Sequence, residues 1–448
     1  MTRSEPSRLK LLILAAVTAV LAGLVLLHVN GINGPDYWQW PWRARRGVMP
    51  YLILTLPAIP VMIAQLRYSK LPAVGIALMM FSMLGMELAV RDLDTDQHDL
   101  TRLAAIIEEP GSIGYFTHAR EFVESGKSIR QFLGDFPAEM LTFTKHARNK
   151  PPGSILFFVP FVKGSPTEDA AAMSAGLAIA VLATLSVPAT YLLVRELTGD
   201  RDAAFQAAAC MTLCPGLSLF LPEFDQFFPI YSCAMLILWV RALKTGRMVF
   251  ALAFGILFSF VCFQTFNLLL LGIFVAGYAG IFLLRDKGRM FVVVRQSVAV
   301  IMIFTAVYSL LWLWSGYDPI KTLITGVHTH QIEEAPILHR DWPRTIPFDL
   351  TDFALGTGWV CVLLAVYHLA RVGRGVGATV LLCLLQPVAV AVTGLLQGET
   401  ARVWIFMYPL LLVPAGLELR GWRPSARVAT MACLWLVTVI LSQNMVFV

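Results

Sequence analysis

The chain has 448 residues, of which 57% are hydrophobic and only 14% charged, and its mean hydropathy of +0.69 excludes a water-soluble core of this size. Its formal net charge of +6 comes without a basic soluble domain, so the charge reads as membrane anchoring and no nucleic-acid partner is expected. All seven cysteines fall within apolar runs, which excludes a disulfide framework or a Cys-x-x-Cys metal site.

Apolar runs long enough to cross roughly 30 Å of hydrocarbon recur along the chain. We read thirteen spans, near residues 10–29, 49–66, 71–90, 169–194, 203–221, 226–243, 247–264, 266–284, 293–315, 349–370, 375–397, 402–419 and 427–447. The first run lacks a small-residue cleavage site after it and is read as a retained anchor. With the N-terminus in the cytoplasm, seven segments face inward and hold 19 of the 35 basic residues, among them Arg3, Arg8, Lys10, Arg371 and Arg420, against only six acids. That asymmetry is the positive-inside pattern of a multi-pass protein, here of a bacterial cytoplasmic membrane. The chain divides into N-terminal membrane helices (1–90), an external loop (91–168), core membrane helices (169–315), a second external loop (316–348) and C-terminal membrane helices (349–448).

Three external segments break the pattern of short loops. In the first (30–48), Trp38, Trp40 and Trp42 alternate ahead of Arg43, Arg45 and Arg46. This is the composition of an aromatic belt, with a seat for an anionic lipid head group as the functional alternative. The second begins RDLDTDQHDLTRLAAIIEEPGSIGYFTHAREF, where Leu100, Leu103, Ala104 and Ile107 recur at helical spacing, as do Phe122 and Val123 with Ile129, Phe132 and Leu133. Short amphipathic helices lying along the membrane are expected, separated by Pro110-Gly111-Ser112 and ended by Pro151-Pro152-Gly153. The third, 316–348, carries His328, His330, His339 and Arg340 with Glu333 and Glu334. A His-x-His pair is too common to assert a metal, so a substrate-binding or lid role is expected for this loop. Beyond it, QGETARVW places Glu399 and Arg402 at the outer end between two spans, where charges must be paired or functional. A Glu399–Arg402 pair and a phosphate-binding Arg402 are the two readings.

From residue 109 to about 247 the chain resembles the GT-C membrane glycosyltransferases of the protein O-mannosyltransferase and aminoarabinose-transferase type. The run GYFTHAREFVESGK supplies Tyr115, Ala119, Arg120, Ser125 and Gly126 in the family's order, and NKPPGSILFF supplies Lys150, Pro151 and Pro152. LPEFDQFFPIY places Asp225 where the family has an acid on the outer side. Gly111 stands four before Tyr115, where the family places its catalytic Asp, and two additional N-terminal spans mark a distinct branch. The resemblance implies an all-α, GT-C-like bundle of about thirteen transmembrane helices with amphipathic helices outside the membrane. It also implies transfer of a sugar from a polyprenyl-phosphate donor to a glycan, lipid or protein acceptor.

Such a transfer needs a base for the acceptor hydroxyl and cations for the departing phosphate. Asp94 and Asp96 are the favoured bases, with Glu108 and Glu109 as further candidates. The run DLDTDQHD also offers oxygen ligands to a divalent cation, the one cofactor under consideration, but lacks the glycine and distal Glu of a calcium loop. Lys145, His146, Arg148 and Lys150 concentrate positive charge for a phosphate, the plainer reading being a basic flank on lipid head groups. Tyr115, His118, Asp225, His328, His330, Arg340 and Arg402 complete the substrate-binding candidates. A transporter or lipid flippase would show inverted repeats and midplane charges. We see no repeat, and Glu87 is the notable charge within a span. A non-catalytic assembly protein is the third alternative.

Overall fold

The computed structural model describes residues 8–35, 39–43, 49–68, 70–93, 100–112, 114–330 and 340–447. Among them every regular element is helical, and an isolated antiparallel bridge joins Trp42 to Met445. The chain opens with α1 (Arg8–Leu26), α2 (Met49–Arg67) and α3 (Pro72–Asp92). Three short helices follow, α4 (Thr101–Glu108), α5 (Tyr115–Glu124) and α6 (Ile129–Glu139), and then α7 (Gly153–Gly164). The centre comprises α8 (Glu168–Thr184), α9 (Ser186–Thr198), α10 (Arg201–Thr212), α11 (Pro215–Leu219), α12 (Phe228–Thr245), α13 (Met248–Gln264), α14 (Gly272–Arg285) and α15 (Met290–Ser315). After α16 (Pro319–His328) come α17 (Ile346–Thr357), α18 (Trp359–Val372), α19 (Ala378–Thr393), α20 (Thr400–Val403), α21 (Tyr408–Leu419) and α22 (Pro424–Asn444).

Among the described residues, seven helical stretches are long and apolar enough to cross a membrane, or eight if α17 and α18 form one broken span bent by 103°. The chain is a multi-pass membrane protein. Four more of the expected spans coincide with apolar helices of 10–17 residues, at Leu52–Arg67, Met248–Gln264, Ala378–Thr393 and Ile405–Leu419. Proline and glycine shorten the regular elements: Pro215 separates α10 from α11, and Gly358 (φ +79) sits at the α17–α18 bend. The Ala-rich α10 is buried from Ala203 onward, and a Cβ on Gly416 of α21 would overlap the Ala203 carbonyl oxygen. Small residues therefore let two backbones touch without a layer of side chains between them.

The ion pairs divide the molecule into two polar ends. At one end Lys10 and Arg371 converge on Glu418, Arg420 meets Asp200, and Arg241 and Lys244 meet Glu196. At the other Arg120 meets Glu168, Lys127 meets Glu139, and Arg340 and Arg402 meet Glu399. Every ion pair among the described residues joins two groups that the sequence assigns to the same side.

The 101–150 shelf is helical, as its periodicity predicts, with three elements in place of two. Ser128 and Gln131 form a capping box that restarts the chain after Gly126. The apolar faces do not float in lipid: Leu103, Ile107, Phe116, Ala119, Phe132 and Phe136 are buried in protein, with α4 on α8 and α5 on α7. The shelf is thereby held rigidly over the membrane helices.

Candidate functional site

A cavity of about 190 Å³ lies where the shelf meets four other segments. Its polar wall comes from Tyr115, Lys150, Glu223, Asp225, Glu399 and Arg402, with Ser112, Lys145, His146, Asn149, Asn267 and Arg340 around them. Its apolar wall comes from Leu269, Leu270, Leu323, Val327, Leu395 and Leu396.

Each polar segment is fixed by local chemistry. The Thr144 amide donates to His118 Nε2 at 2.9 Å, while His118 Nδ1 pairs with Glu121 at 2.7 Å. Gly114, at φ +67, allows this approach, because a Cβ there would overlap Thr144 Oγ1. The basic run 145–150 therefore leaves a pinned residue and ends at Pro151 and Pro152. Gly153 then starts α7, where a Cβ would overlap the Phe263 carbonyl oxygen. Lys150 Nζ donates to Asn267 Oδ1 at 2.6 Å, which orients it into the cavity.

Glu223 and Asp225 stand in the turn between α11 and α12, and Ser112 Oγ donates to Glu223 at 2.9 Å. Opposite them runs the turn 394–403. Asp349 and Asp352, one helical turn apart on α17, accept from the amides of Gly398 (2.8 Å) and Ala401 (2.7 Å). Trp40 Nε1 donates to the other Asp352 oxygen at 2.9 Å. Trp40 is thus buried and bonded within the protein and does not belong to an aromatic belt, while the partly buried Trp42 stacks on His28. Trp38, Arg45 and Arg46 lie outside the described residues.

Arg402 is the centre of the electrostatics. Its guanidinium reaches Glu223 at 2.8 Å and Glu399 at 2.7 Å, and Arg340 adds a longer contact to Glu399 at 3.5 Å. Burial disfavours the charge on Arg402, but Glu223 and Glu399 outweigh it and hold its pKa above the usual range. Burial also works against ionised Glu399, yet Arg402, with Arg340 behind it, carries its carboxyl down to about 2. Glu223 behaves oppositely: burial pushes it up to about 7 despite Arg402. One guanidinium therefore holds one permanent carboxylate and one that titrates near neutrality. Burial, aided by Arg402, brings His146 down to about 4, so it is neutral and adds no charge to the phosphate seat expected there. Burial beside Asp225 and Glu223 likewise keeps the Tyr115 hydroxyl protonated.

Of the residues expected from sequence, Tyr115, His146, Lys150, Asp225, His330, Arg340 and Arg402 line the cavity. Arg148 and His328 do not line it, and His328 is exposed. His118 braces the shelf from behind. Glu109 sits on an exposed turn, accepting from the Gly111 amide, and Glu108 lies beside Asp169. Asp94 and Asp96, with the rest of 94–99, lie outside the described residues, as do Glu333, Glu334 and His339. Among the described residues no cluster of three or more His, Cys, Asp or Glu could hold a metal ion. The Glu399–Arg402 pair is present, so the plainer reading of QGETARVW holds, and Arg402 lines the cavity as well. Sequence reasoning missed Glu223. The available signal was an acid two residues from Asp225 in the otherwise apolar stretch LFLPEFDQFF.

No protein-family model matches the chain, and no curated protein matches it.

Proposed function

We propose that this protein is an integral membrane glycosyltransferase of the GT-C type that transfers a sugar from a polyprenyl-phosphate donor to an acceptor on the external face. The observation that carries the reading is one cavity that combines a charged interior with an apolar, exposed lip: Val327 and Leu395 both line it, and both are about half exposed. A phosphate attached to a prenyl chain needs these two environments side by side. Lys145, Lys150, Arg340 and Arg402 supply positive charge for the phosphate, with Arg as the bidentate partner. Tyr115, Asn149 and Asn267 supply neutral polar groups for a sugar.

Asp225, in the cavity wall with Lys150 near it, takes the proton from the acceptor hydroxyl as the sugar carbon leaves the phosphate. The cations meanwhile steady the released polyprenyl phosphate. Asp94 and Asp96 are the alternative bases. Thirteen crossings fit this reading, because each apolar helix then runs between two ends whose charges pair only among themselves. The N-terminus lies in the cytoplasm of a bacterial cell and the cavity outside. The acceptor is a glycan, a lipid or a protein, and membrane lipids line the mouth. One feature favours a transporter or flippase: Glu87 on α3 is wholly buried, and neither carboxyl oxygen has a partner among the described residues.

The test is transfer from radiolabelled polyprenyl-phosphate sugars by protein in proteoliposomes. Sugar release that needs the protein and is lost in Asp225→Asn supports the reading. Donor movement across the bilayer without cleavage of the sugar–phosphate bond supports transport and sinks it.

A further inference from the structure

The cavity holds more negative charge than an anion site needs, and its arrangement is unequal. Glu223, Asp225 and Glu399 all line it, and two of them share the guanidinium of Arg402. Glu399 has additional cations against it: Arg340 at 3.5 Å, and Lys145 nearby. Among the described residues Glu223 has only Arg402 as an ion-pair partner, and its other hydrogen-bond partner there is the neutral Ser112 hydroxyl. An incoming phosphate competes for Arg402 and places new negative charge beside Glu223. The carboxylate with the fewest remaining cations is the one that must be neutralised.

We infer that anion binding in this cavity is coupled to uptake of one proton by Glu223, whose carboxyl group then donates a hydrogen bond to the bound phosphate. Arg402 moves its hydrogen bond from Glu223 to a phosphate oxygen. The Glu223 carboxylate takes a proton from solvent, and the resulting O–H faces the anion, so charge and protons balance.

The other polar and charged groups that line the cavity with Glu223 come from every element around it. They are Tyr115 and Ser112 from the shelf; Lys145, His146 and Lys150 from the basic run; Asp225 from its own turn; His330 and Arg340 from the second external segment; and Glu399 and Arg402 opposite. Glu399 stays ionised because its carboxyl lies at about 2. His146, at about 4, does not titrate near neutral pH. The coupling depends on the proposed function only for the kind of anion, since any phosphate reaching Arg402 drives it.

The test is calorimetric titration at pH 8 in two buffers of different ionisation enthalpy, with farnesyl phosphate, inorganic phosphate and farnesol as probes. With Glu223 at about 7 it is about nine-tenths ionised at pH 8, so uptake approaches ~0.9 proton per phosphate bound. Phosphate monoesters are dianions at that pH and add little to the balance. Glu223→Gln is expected to bind farnesyl phosphate with no uptake. Binding without proton uptake, uptake that persists in Glu223→Gln, or no binding by either anion overturns the inference. Uptake with inorganic phosphate while farnesyl phosphate fails to bind keeps the coupling and removes the lipid-linked donor. Farnesol is expected to bind without uptake or not at all; proton uptake with farnesol shows that the coupling does not need an anion and overturns it.

Discussion

Replacement of Arg402 by Ala is the sharpest single perturbation of this site. Glu399 is depressed from 4.5 to about 2, a net favourable interaction of roughly 3 kcal/mol at about 1.36 kcal/mol per unit, and Arg402 is the largest attraction behind it. The sign follows from the direction. A depressed carboxyl contributes stability that is present above pH 4.5 and lost as the pH falls toward 2. Removal of Arg402 therefore destabilises the protein at pH 8 by about 3 kcal/mol, within the range for a broken buried pair. Glu223, at about 7, is protonated in acid, so the deficit shrinks at pH 5.5. Adding Glu399→Gln to Arg402→Ala removes the other stranded charge and is expected to restore most of the thermal midpoint in nanodiscs at pH 5.5. The double variant still lacks the phosphate ligand, and its affinity for farnesyl phosphate is expected to stay roughly 100-fold below wild type, about 3 kcal/mol. Stability and binding are thus predicted to separate. Wild-type affinity in Arg402→Ala, or equal recovery of affinity and midpoint in the double variant, refutes the assignment.

Lys150→Ala is expected to raise the apparent KM for the lipid-linked donor at least tenfold while leaving the acceptor KM within twofold; parallel rises in both would remove Lys150 from the phosphate seat. Asp225→Asn should bind donor normally yet lose sugar transfer by two orders of magnitude or more. If it turns over normally, the Asp94→Ala, Asp96→Ala double variant becomes the decisive measurement. His118→Ala frees the Thr144 amide and is expected to weaken farnesyl phosphate binding several-fold, with His118→Asn recovering part of the loss; no change in either would detach the brace from the cavity. Arg130→Cys, on the exposed side of α6, should react with an impermeant maleimide from outside intact cells, and labelling only after lysis would invert the topology.

Much of the architecture was legible because hydrophobicity is additive along the chain. Seven of the expected runs, or eight with the bent pair, are helices long and apolar enough to cross a membrane among the described residues, and four more coincide with shorter apolar helices. Their lengths were less legible: Pro215 and Gly358 interrupt the elements, and a run of apolar residues does not reveal a bend of 103° at a glycine. The shelf helices followed from their periodicity, yet their burial did not. The same amphipathic face that suits a lipid interface also suits α7 and α8, and only the tertiary fold decides between them. Lys150, Asp225 and Arg402 could be nominated because a charge beside an apolar run is costly without a purpose. Glu223 was less legible than Asp225 two residues on, because its partner Arg402 lies about 180 residues away in sequence. The buttress of Asp349 and Asp352 was not readable at all, since their partners are backbone amides about fifty residues away.

That buttress explains how a short turn can carry the site. Glu399 adopts φ +49, a left-handed conformation that costs a non-glycine residue roughly 1–2 kcal/mol. Gly398 beside it lies so close to Arg340 that a Cβ would sit 2.7 Å from its Nε. Such a turn persists only where neighbours over-determine it. Here the neighbours are two carboxylates on α17, a third contact from the Thr400 hydroxyl to the Asp349 carbonyl at 2.5 Å, and Trp40, which holds Asp352 from the far side. Strain in the backbone is thus spent on setting the direction of Arg402, with Glu399 behind it and the cavity in front. The segment that carries Trp40, far away in sequence, acts on the cavity through an indole hydrogen bond. The conformation of Arg402 is therefore a property of three separated parts of the chain, and weakening any one of them is felt at the shared carboxylates before it is felt in the membrane helices.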